Sequence, residues 1–77
     1  MIKNILITGG GGYIGSHVVE ILIKNKKRVI ILDNLSTGFK RLINKKANFF
    51  KADIRNIKKI NLILTNHQID SVIHLAA

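Results

Sequence analysis

Four consecutive glycines at positions 9–12 stand between a short apolar run and a segment with helical periodicity. Glycines at a strand-to-helix turn let a phosphate group approach the backbone, where the helix N-terminus offers N–H groups and a positive dipole end. Two registers fit such a site, Gly10-x-Gly12-x-x-Gly15, the general dinucleotide fingerprint, and the wider Gly9-x-x-Gly12-x-x-Gly15. In both, Gly12 would lie beside a pyrophosphate and Gly15 would let helix and strand pack closely. The alternative is a tight turn without a ligand.

An aspartate stands where the ribose of a dinucleotide needs a hydrogen-bond acceptor. Asp33 ends the second apolar run, 18 residues after Gly15, and a carboxylate there accepts hydrogen bonds from the adenosine ribose hydroxyls. The same carboxylate would repel a 2′-phosphate, so NAD is favoured over NADP, although Lys40 and Arg41 could lie near a phosphate. The alternative for Asp33 is a turn-forming residue before Asn34.

Four short apolar runs predict the strands that position these residues. They lie at 5–7, 29–32, 49–50 and 71–75 and lack polar alternation, as is typical of parallel strands buried on both faces. A helix is predicted between the first two runs, with an apolar face formed by Ile14, Val18, Ile21 and Leu22 and widened by Val19 and Ile23.

A second helix is predicted between the last two runs. Ile57, Ile60 and Leu64 repeat at helical spacing, and Asn56 is placed to cap the N-terminus. Residues 36–46 predict a short helix or a turn, because a glycine falls in the first turn. The order β-α-β-α-β-α-β predicts an α/β fold with a parallel sheet and right-handed crossovers, the N-terminal half of a Rossmann doubly wound sheet truncated after strand four.

The composition restricts the classes of function. The 77 residues carry 13 Lys and Arg against 4 Asp and Glu, a net charge of +9 that would suit a nucleic acid. The basic residues are scattered and no aromatic residues interleave with them, so nucleic-acid binding is the less favoured alternative. No apolar run approaches the ~20 residues of a membrane-spanning helix, and the N-terminus does not resemble a secretory signal. The chain has no cysteine, and the cytoplasm is the expected compartment.

Four segments carry a resemblance to a known family: TGGGGYIGSH, ILDNLSTG, KADIRN and HQIDSVIHLAA. Together they resemble the extended short-chain dehydrogenase/reductases over essentially all 77 residues. Within that family the resemblance is greatest to the branch that interconverts UDP-glucose and UDP-galactose, with nucleotide-sugar dehydratases and decarboxylases as alternatives. A nucleotide-binding module without catalytic activity is a further alternative.

The resemblance implies NAD as the cofactor and a set of residues around it. The pyrophosphate would be lined by Gly9, Gly12, Tyr13, Ile14 and Gly15, and the adenosine ribose by Asp33, Asn34, Leu35, Ser36, Thr37 and Gly38. The adenine would be contacted by Asp53 and Ile54, and the nicotinamide side by Leu75, Ala76 and Ala77. Turn or core roles are the alternatives for Asp53, Ile54 and Leu75. The family spacing selects Gly9 as the turn glycine and leaves Gly11 as the spare one.

The resemblance also implies chemistry that these residues do not carry. In the family, NAD⁺ takes a hydride from C4 of the sugar and returns it to the other face, and a Tyr-x-x-x-Lys motif supplies the base. That motif is absent, because the one tyrosine, Tyr13, is followed four residues later by His17. We therefore predict no catalytic residue and no metal ligand. His17 is expected to face solvent or be satisfied, and His74 to pack in the sheet.

The organisation expected for the whole protein follows from the same comparison. Residues 1–77 would form a partial NAD-binding domain without a substrate domain, and the chain alone would be inactive. A UDP-sugar would bind only to a full-length form, and full-length relatives are expected to be homodimers. With the fourth strand left as an edge, the chain is expected to be marginally stable.

Overall fold

A parallel sheet of four strands is the centre of the molecule. The computed structural model describes residues 2–35 and 40–75, so the predictions for Ser36, Thr37, Gly38, Ala76 and Ala77 lie outside the described residues. The strands are β1 (Asn4–Thr8), β2 (Arg28–Asp33), β3 (Asn48–Lys51) and β4 (Ser71–His74), in the spatial order β3-β2-β1-β4. All neighbouring pairs are parallel. The four predicted strands and the half-Rossmann order are confirmed.

Two helices cover opposite faces of this sheet, so the predicted doubly wound arrangement is also confirmed. The helices are α1 (Tyr13–Lys24) and α2 (Ile57–Asn66). The α1 face is buried around Ile5, Ile7, Val19, Val29 and Ile31, and the α2 face around Leu6, Ile30, Leu32 and Ile63. Alternate residues of β1 and β2 thus serve different faces, which explains why both strands are apolar throughout.

The connection between β2 and β3 differs from the third helix of the predicted order. Within the described residues it contains only a 3₁₀ turn, Lys40–Leu42. The side chain of Asn44 accepts a hydrogen bond from the backbone N–H of Lys46 at 2.9 Å, and this local bond competes with helix continuation. The turn alternative given for residues 36–46 is the one that the described part of this segment adopts.

The buried faces of the helices agree with the predicted ones in part. In α1, Val19 is buried and Val18, Leu22 and Ile23 pack against the core, whereas Ile14 and Ile21 are exposed. In α2 the buried residue is Ile63, which the prediction did not include. The predicted cap is confirmed, because the Asn56 side chain accepts from the backbone N–H of Lys59 at 3.1 Å.

Candidate functional site

The glycine loop joins β1 to α1 at the carboxyl edge of the sheet. Gly9 has a φ of +83°, a conformation that glycine adopts without steric cost. Its N–H donates to the carbonyl of Leu32 at 2.9 Å, and its carbonyl accepts from Gly12 N–H at 3.2 Å. Gly9 is therefore the turn glycine, and the structure selects the register Gly9-x-x-Gly12-x-x-Gly15.

Gly15 brings α1 close to this turn. A Cβ at Gly15 would overlap the carbonyl oxygen of Gly9 and lie 3.0 Å from the Cα of Gly10. These atoms belong to the backbone, so no side-chain movement would make room for a Cβ. The predicted role of Gly15 in close packing is confirmed.

Gly11, the glycine that the family spacing leaves as the spare one, lies against the ends of side chains rather than against backbone. It is buried, and a Cβ there would lie 2.7 Å from Asp33 Oδ2 and 2.9 Å from Leu35 Cδ2. An alanine would therefore displace the ends of both side chains. Gly10 is also constrained, since its Cβ would lie 2.7 Å from Cγ2 of the core residue Ile31.

Asp33 is held between the glycine loop and the loop that follows β2. It is 9% exposed. Its Oδ2 accepts the N–H of Gly11 at 2.7 Å, and its Oδ1 accepts the N–H of Leu35 at 2.8 Å. The Leu35 bond closes an Asx turn, so the turn alternative is observed as well. An ionised carboxylate offers about four acceptor positions, and two remain for ligand hydroxyls after these bonds.

The first turn of α1 presents backbone N–H groups beside this carboxylate. Gly12 is the N-cap and supplies no side-chain hydrogen bond, and the turn contains no acidic residue. The side chains of Tyr13 and Ile14 are exposed, and the Tyr13 ring meets the exposed His17 ring edge-on at 4.8 Å. The solvent-facing position predicted for His17 is confirmed. The helix N-terminus is thus a site that could accept an anion.

Asp53 lies in a tight turn after β3 and pairs with Arg55. Its Oδ2 lies 2.9 Å from Nη2 of Arg55, and its Oδ1 accepts from Nε of Arg55 at 3.0 Å and from the Arg55 backbone N–H at 2.8 Å. These hydrogen bonds, the guanidinium first, hold the pKa of Asp53 well below its usual range, and a bond from Asn34 lowers the pKa further. Asp53 therefore has the turn role given as its alternative, and the effect of Asn34 on its pKa indicates that it lies near the loop after Asp33.

A cavity of about 380 Å³ opens between α2 and the sheet. Its walls include Leu32, Ile54, Ile60, Val72 and His74. Ile54 is half-buried and packs with the α2-face cluster, which is the core role given as its alternative.

His74 and Leu75 both contact Thr8 at the end of β1. Nδ1 of His74 lies 2.6 Å from Thr8 Oγ1, and Leu75 N–H donates to the Thr8 carbonyl at 2.9 Å. His74 is exposed, so the prediction that it packs in the sheet is wrong. The reason is that β4 is an edge strand, which leaves one of its sides uncovered within the described residues. Leu75 is exposed too, at 40%.

The chain is similar to a known protein family over nearly its whole length. A sequence model described as the NAD dependent epimerase/dehydratase family matches residues 5–77. The chain belongs to this family. The resemblance inferred from the four segments is thereby confirmed.

Several similar members of the epimerase/dehydratase family are UDP-glucose 4-epimerases. The UDP-glucose 4-epimerase of Halalkalibacterium halodurans is 47% identical over 73 residues, which cover 95% of this chain and 22% of that protein. The crystal structure of the Thermotoga maritima UDP-glucose 4-epimerase with UDP-glucose is 45% identical, with a TM-score of 0.95, over 97% of this chain and 24% of that one. The Thermus thermophilus enzyme in complex with NAD is 37% identical, with a TM-score of 0.91 and the same coverage. The chain thus spans about a quarter of the length of these relatives.

Three contacts of the candidate site were not predicted from the sequence. They are the donation of the Gly11 N–H to Asp33, the pairing of Arg55 with Asp53, and the bond between Thr8 and His74. The position of Thr8 directly before the glycines was the available signal for the last contact. Within residues 2–35 and 40–75, no group of three His, Cys, Asp or Glu side chains could hold a metal ion. None of the helices described there has the length and apolarity needed to cross a membrane.

Proposed function

We propose that this chain is the NAD-binding part of a UDP-glucose 4-epimerase and binds NAD across the carboxyl edge of its sheet. The observation that carries the proposal is the carboxylate of Asp33. It is buried at the end of β2, and the N–H groups of Gly11 and Leu35 fix both of its oxygens beside the glycine loop. A hydrogen-bond acceptor fixed beside a turn that a phosphate group can approach is the arrangement that an adenosine diphosphate requires.

The pyrophosphate is assigned to the loop between Gly9 and Gly15. Gly12 has no side chain to bar its approach, and a Cβ there would contact the protein only at the Gly9 oxygen, 3.5 Å away. The space beside Gly12 is therefore free for a ligand rather than filled by the fold. The dipole of α1 and its first N–H groups would stabilise the phosphate charge, so no lysine is needed.

The preference for NAD over NADP rests on the same carboxylate. Because two backbone bonds hold Asp33, it cannot swing away from a 2′-phosphate without losing both of them. A ribose 2′-hydroxyl would instead donate to one of its remaining acceptor positions. Asn34, Leu35, Ser36, Thr37 and Gly38 are proposed to complete the ribose side.

The remaining contacts are proposed from the family resemblance. Asp53 and Ile54 would meet the adenine, and Leu75, Ala76 and Ala77 the nicotinamide side. The position of Asn34 supports this assignment, since Asn34 lies near enough to Asp53 to lower its pKa, which brings the ribose loop beside the adenine turn.

The activity proposed for the whole protein is the interconversion of UDP-glucose and UDP-galactose. When bound, NAD supplies the hydride acceptor, and the residues of this chain bind and orient it. The 77 residues contain no Tyr-x-x-x-Lys, so the base and the sugar site are assigned to sequence that these residues do not include. A homodimer and a cytoplasmic location are proposed for the full-length form.

Titration of NAD into the purified chain by isothermal calorimetry tests the cofactor assignment. We expect Asp33→Ala to weaken NAD binding by roughly tenfold to hundredfold, because hydrogen bonds to a charged acceptor are lost. Glu20→Ala is the matched control, since it removes one negative charge from the exposed side of α1 and should leave the affinity unchanged. Circular dichroism checks that each variant is folded. Absence of NAD binding by the wild-type chain, or equal binding by a folded Asp33→Ala variant, would contradict the proposal.

A further inference from the structure

The end of β4 carries a side-chain contact that the nucleotide site described above does not use. Nδ1 of His74 lies 2.6 Å from Oγ1 of Thr8. The carbonyl of Thr8 accepts from the N–H of Leu75 at 2.9 Å. Thr8 is 6% exposed, so the hydroxyl and the carbonyl of a buried residue are bonded by the last residue of β4 and the residue after it.

Thr8 directly precedes the glycine turn. On the β2 side, the N–H of Gly9 donates to the carbonyl of Leu32 at 2.9 Å. On the β4 side, Thr8 is the described residue of β1 that contacts His74 and Leu75. Because the bond of Gly9 to β2 does not involve β4, a shift at the end of β4 would move Thr8 and Leu75 and would leave the glycine turn anchored.

The end of β4 has little other support. β4 is an edge strand in which Ser71, Val72 and His74 are exposed, and Ile73 packs against the α1-face cluster. In the part of the chain that the structure describes, the bond between Thr8 and His74 is the only side-chain hydrogen bond between β1 and β4. A strand held mainly by its backbone ladder frays first at its end, so this bond decides where the end lies.

We propose that His74 is a positioning residue that, through Thr8, holds the end of β4 in register with the glycine loop. The proposal rests on the NAD site proposed above. The glycine loop would bind the pyrophosphate and Leu75 would face the nicotinamide, so the two parts of the site lie on either side of this bond. His74 thus acts on the nicotinamide half of the cofactor and leaves the adenosine half unaffected.

A purely structural bond would have a different consequence. Its loss would lower the free energy of unfolding. The apparent affinity of every ligand of the folded chain would then fall by the same factor. The positioning role instead predicts that NAD is affected and ADP is not, because ADP lacks the nicotinamide riboside. The ratio of the two affinities is therefore the decisive measurement.

The experiment compares the dissociation constants of NAD and ADP for wild type, His74→Phe, Thr8→Val and the double variant. We expect NAD binding to weaken about three- to tenfold in each single variant, the usual contribution of one hydrogen bond. ADP binding should change less than twofold, and the double variant should be no weaker than the single ones, because both changes remove the same bond. His74→Asn, whose side-chain amide can reach the position of Nδ1, and Thr8→Ser should recover most of the NAD affinity.

The outcomes separate this inference from the cofactor assignment. A wild-type chain that binds neither ligand would overturn both. If the wild-type chain binds both ligands and the variants weaken the binding of NAD and of ADP equally, only the role of His74 is overturned. The same holds if the variants weaken the binding of neither ligand. If His74→Phe does not fold, the near-isosteric Thr8→Val gives the same comparison. ¹H–¹⁵N spectra add a second readout, since Thr8→Val should shift the amide resonance of Leu75 and leave those of residues 10–12 nearly unchanged, and an unshifted Leu75 resonance would contradict the coupling.

Discussion

Two glycines of the loop are required for different reasons. At Gly15 a side chain would overlap the backbone of Gly9, whereas at Gly12 the nearest protein atom to a Cβ would be 3.5 Å away. The first position is constrained by the fold and the second by the proposed ligand. Substitution by alanine therefore separates folding from binding.

Gly15→Ala should lower the free energy of unfolding by about 1–3 kcal/mol, because backbone atoms must move to relieve the overlap. Gly12→Ala should cost less than about 1 kcal/mol, the difference between glycine and alanine at an N-cap. NAD affinity should nevertheless fall at least about tenfold in Gly12→Ala, since the methyl group occupies the approach of the pyrophosphate. Urea unfolding and NAD titration measure the two effects. Equal NAD affinity in Gly12→Ala and wild type would contradict the placement of the pyrophosphate.

The pairing of Asp53 with Arg55 predicts a pH effect with a defined sign. The pKa of Asp53 is lowered in the folded chain, so its contribution to stability is present above the ordinary value of about 3.9 and is lost as the pH falls toward the lowered one. The carboxyl ¹³C resonance of Asp53 should not titrate between pH 6 and about pH 3. In Arg55→Gln the midpoint should move toward the ordinary value, whereas Lys58→Gln, which removes an exposed charge of the same helix region, should leave it low.

At the scale of elements, α2 depends on its N-cap. Asn56 accepts the N–H of Lys59, and loss of such a cap costs about 1 kcal/mol. Asn56→Ala should therefore lower the midpoint of urea unfolding. Asn61→Ala makes the same chemical change at an exposed interior position of α2 and should have the opposite sign, because alanine has the higher helix propensity. Equal effects of the two substitutions would show that the cap bond is not formed in solution.

Elements with strong periodicity were predictable, and the faces that they bury were predictable in part. The strands and both α-helices follow from apolar runs and spacing, but Ile14 and Ile21 are exposed where the sequence predicted a buried face. A helix rotated by one residue satisfies nearly the same pattern, so tertiary packing decides. The connection before β3 was ambiguous because the Asn44 side-chain bond that favours a turn has no periodic signal.

The candidate site was predictable where one residue type has one role. Gly9, Gly15 and Asp33 have the turn, packing and acceptor geometry that their spacing indicated. The surroundings of Gly11 were not predictable, because they come from the side chains of Asp33 and Leu35, which are distant in sequence. The bond between His74 and Thr8 was missed for the same reason.

At the scale of the whole molecule, the chain should not convert UDP-galactose to UDP-glucose. The 77 residues contain no Tyr-x-x-x-Lys, so no base is available to take the proton of the sugar hydroxyl when a hydride leaves C4. Incubation of the purified chain with NAD and UDP-galactose, followed by chromatography, should return unchanged substrate. Turnover above that of an Asp33→Ala preparation would contradict this expectation.

The exposed edge of the sheet should make the isolated chain self-associate. Val72 is 53% exposed on β4, and an unpaired apolar edge strand is a template for another strand. Val72→Lys should lower the weight-average molecular mass that sedimentation equilibrium gives at a fixed protein concentration. Ile57→Lys adds the same charge at an equally apolar position of α2, away from the edge, and should have a smaller effect. Identical sedimentation of both variants and wild type would exclude association through β4.

The strand order distributes rigidity unevenly over the proposed site. The two inner strands are β1, which precedes the glycine loop, and β2, which ends at Asp33. The two outer strands are β3, which leads to Asp53, and β4, which leads to Leu75. Outer strands open at lower free energy than inner ones, so their amides should exchange with deuterium first. A partly opened chain would then keep its contacts with the adenosine ribose and the pyrophosphate and lose those with the adenine and the nicotinamide. Cofactor recognition in this fold would thus be lost from the ends of the dinucleotide inward.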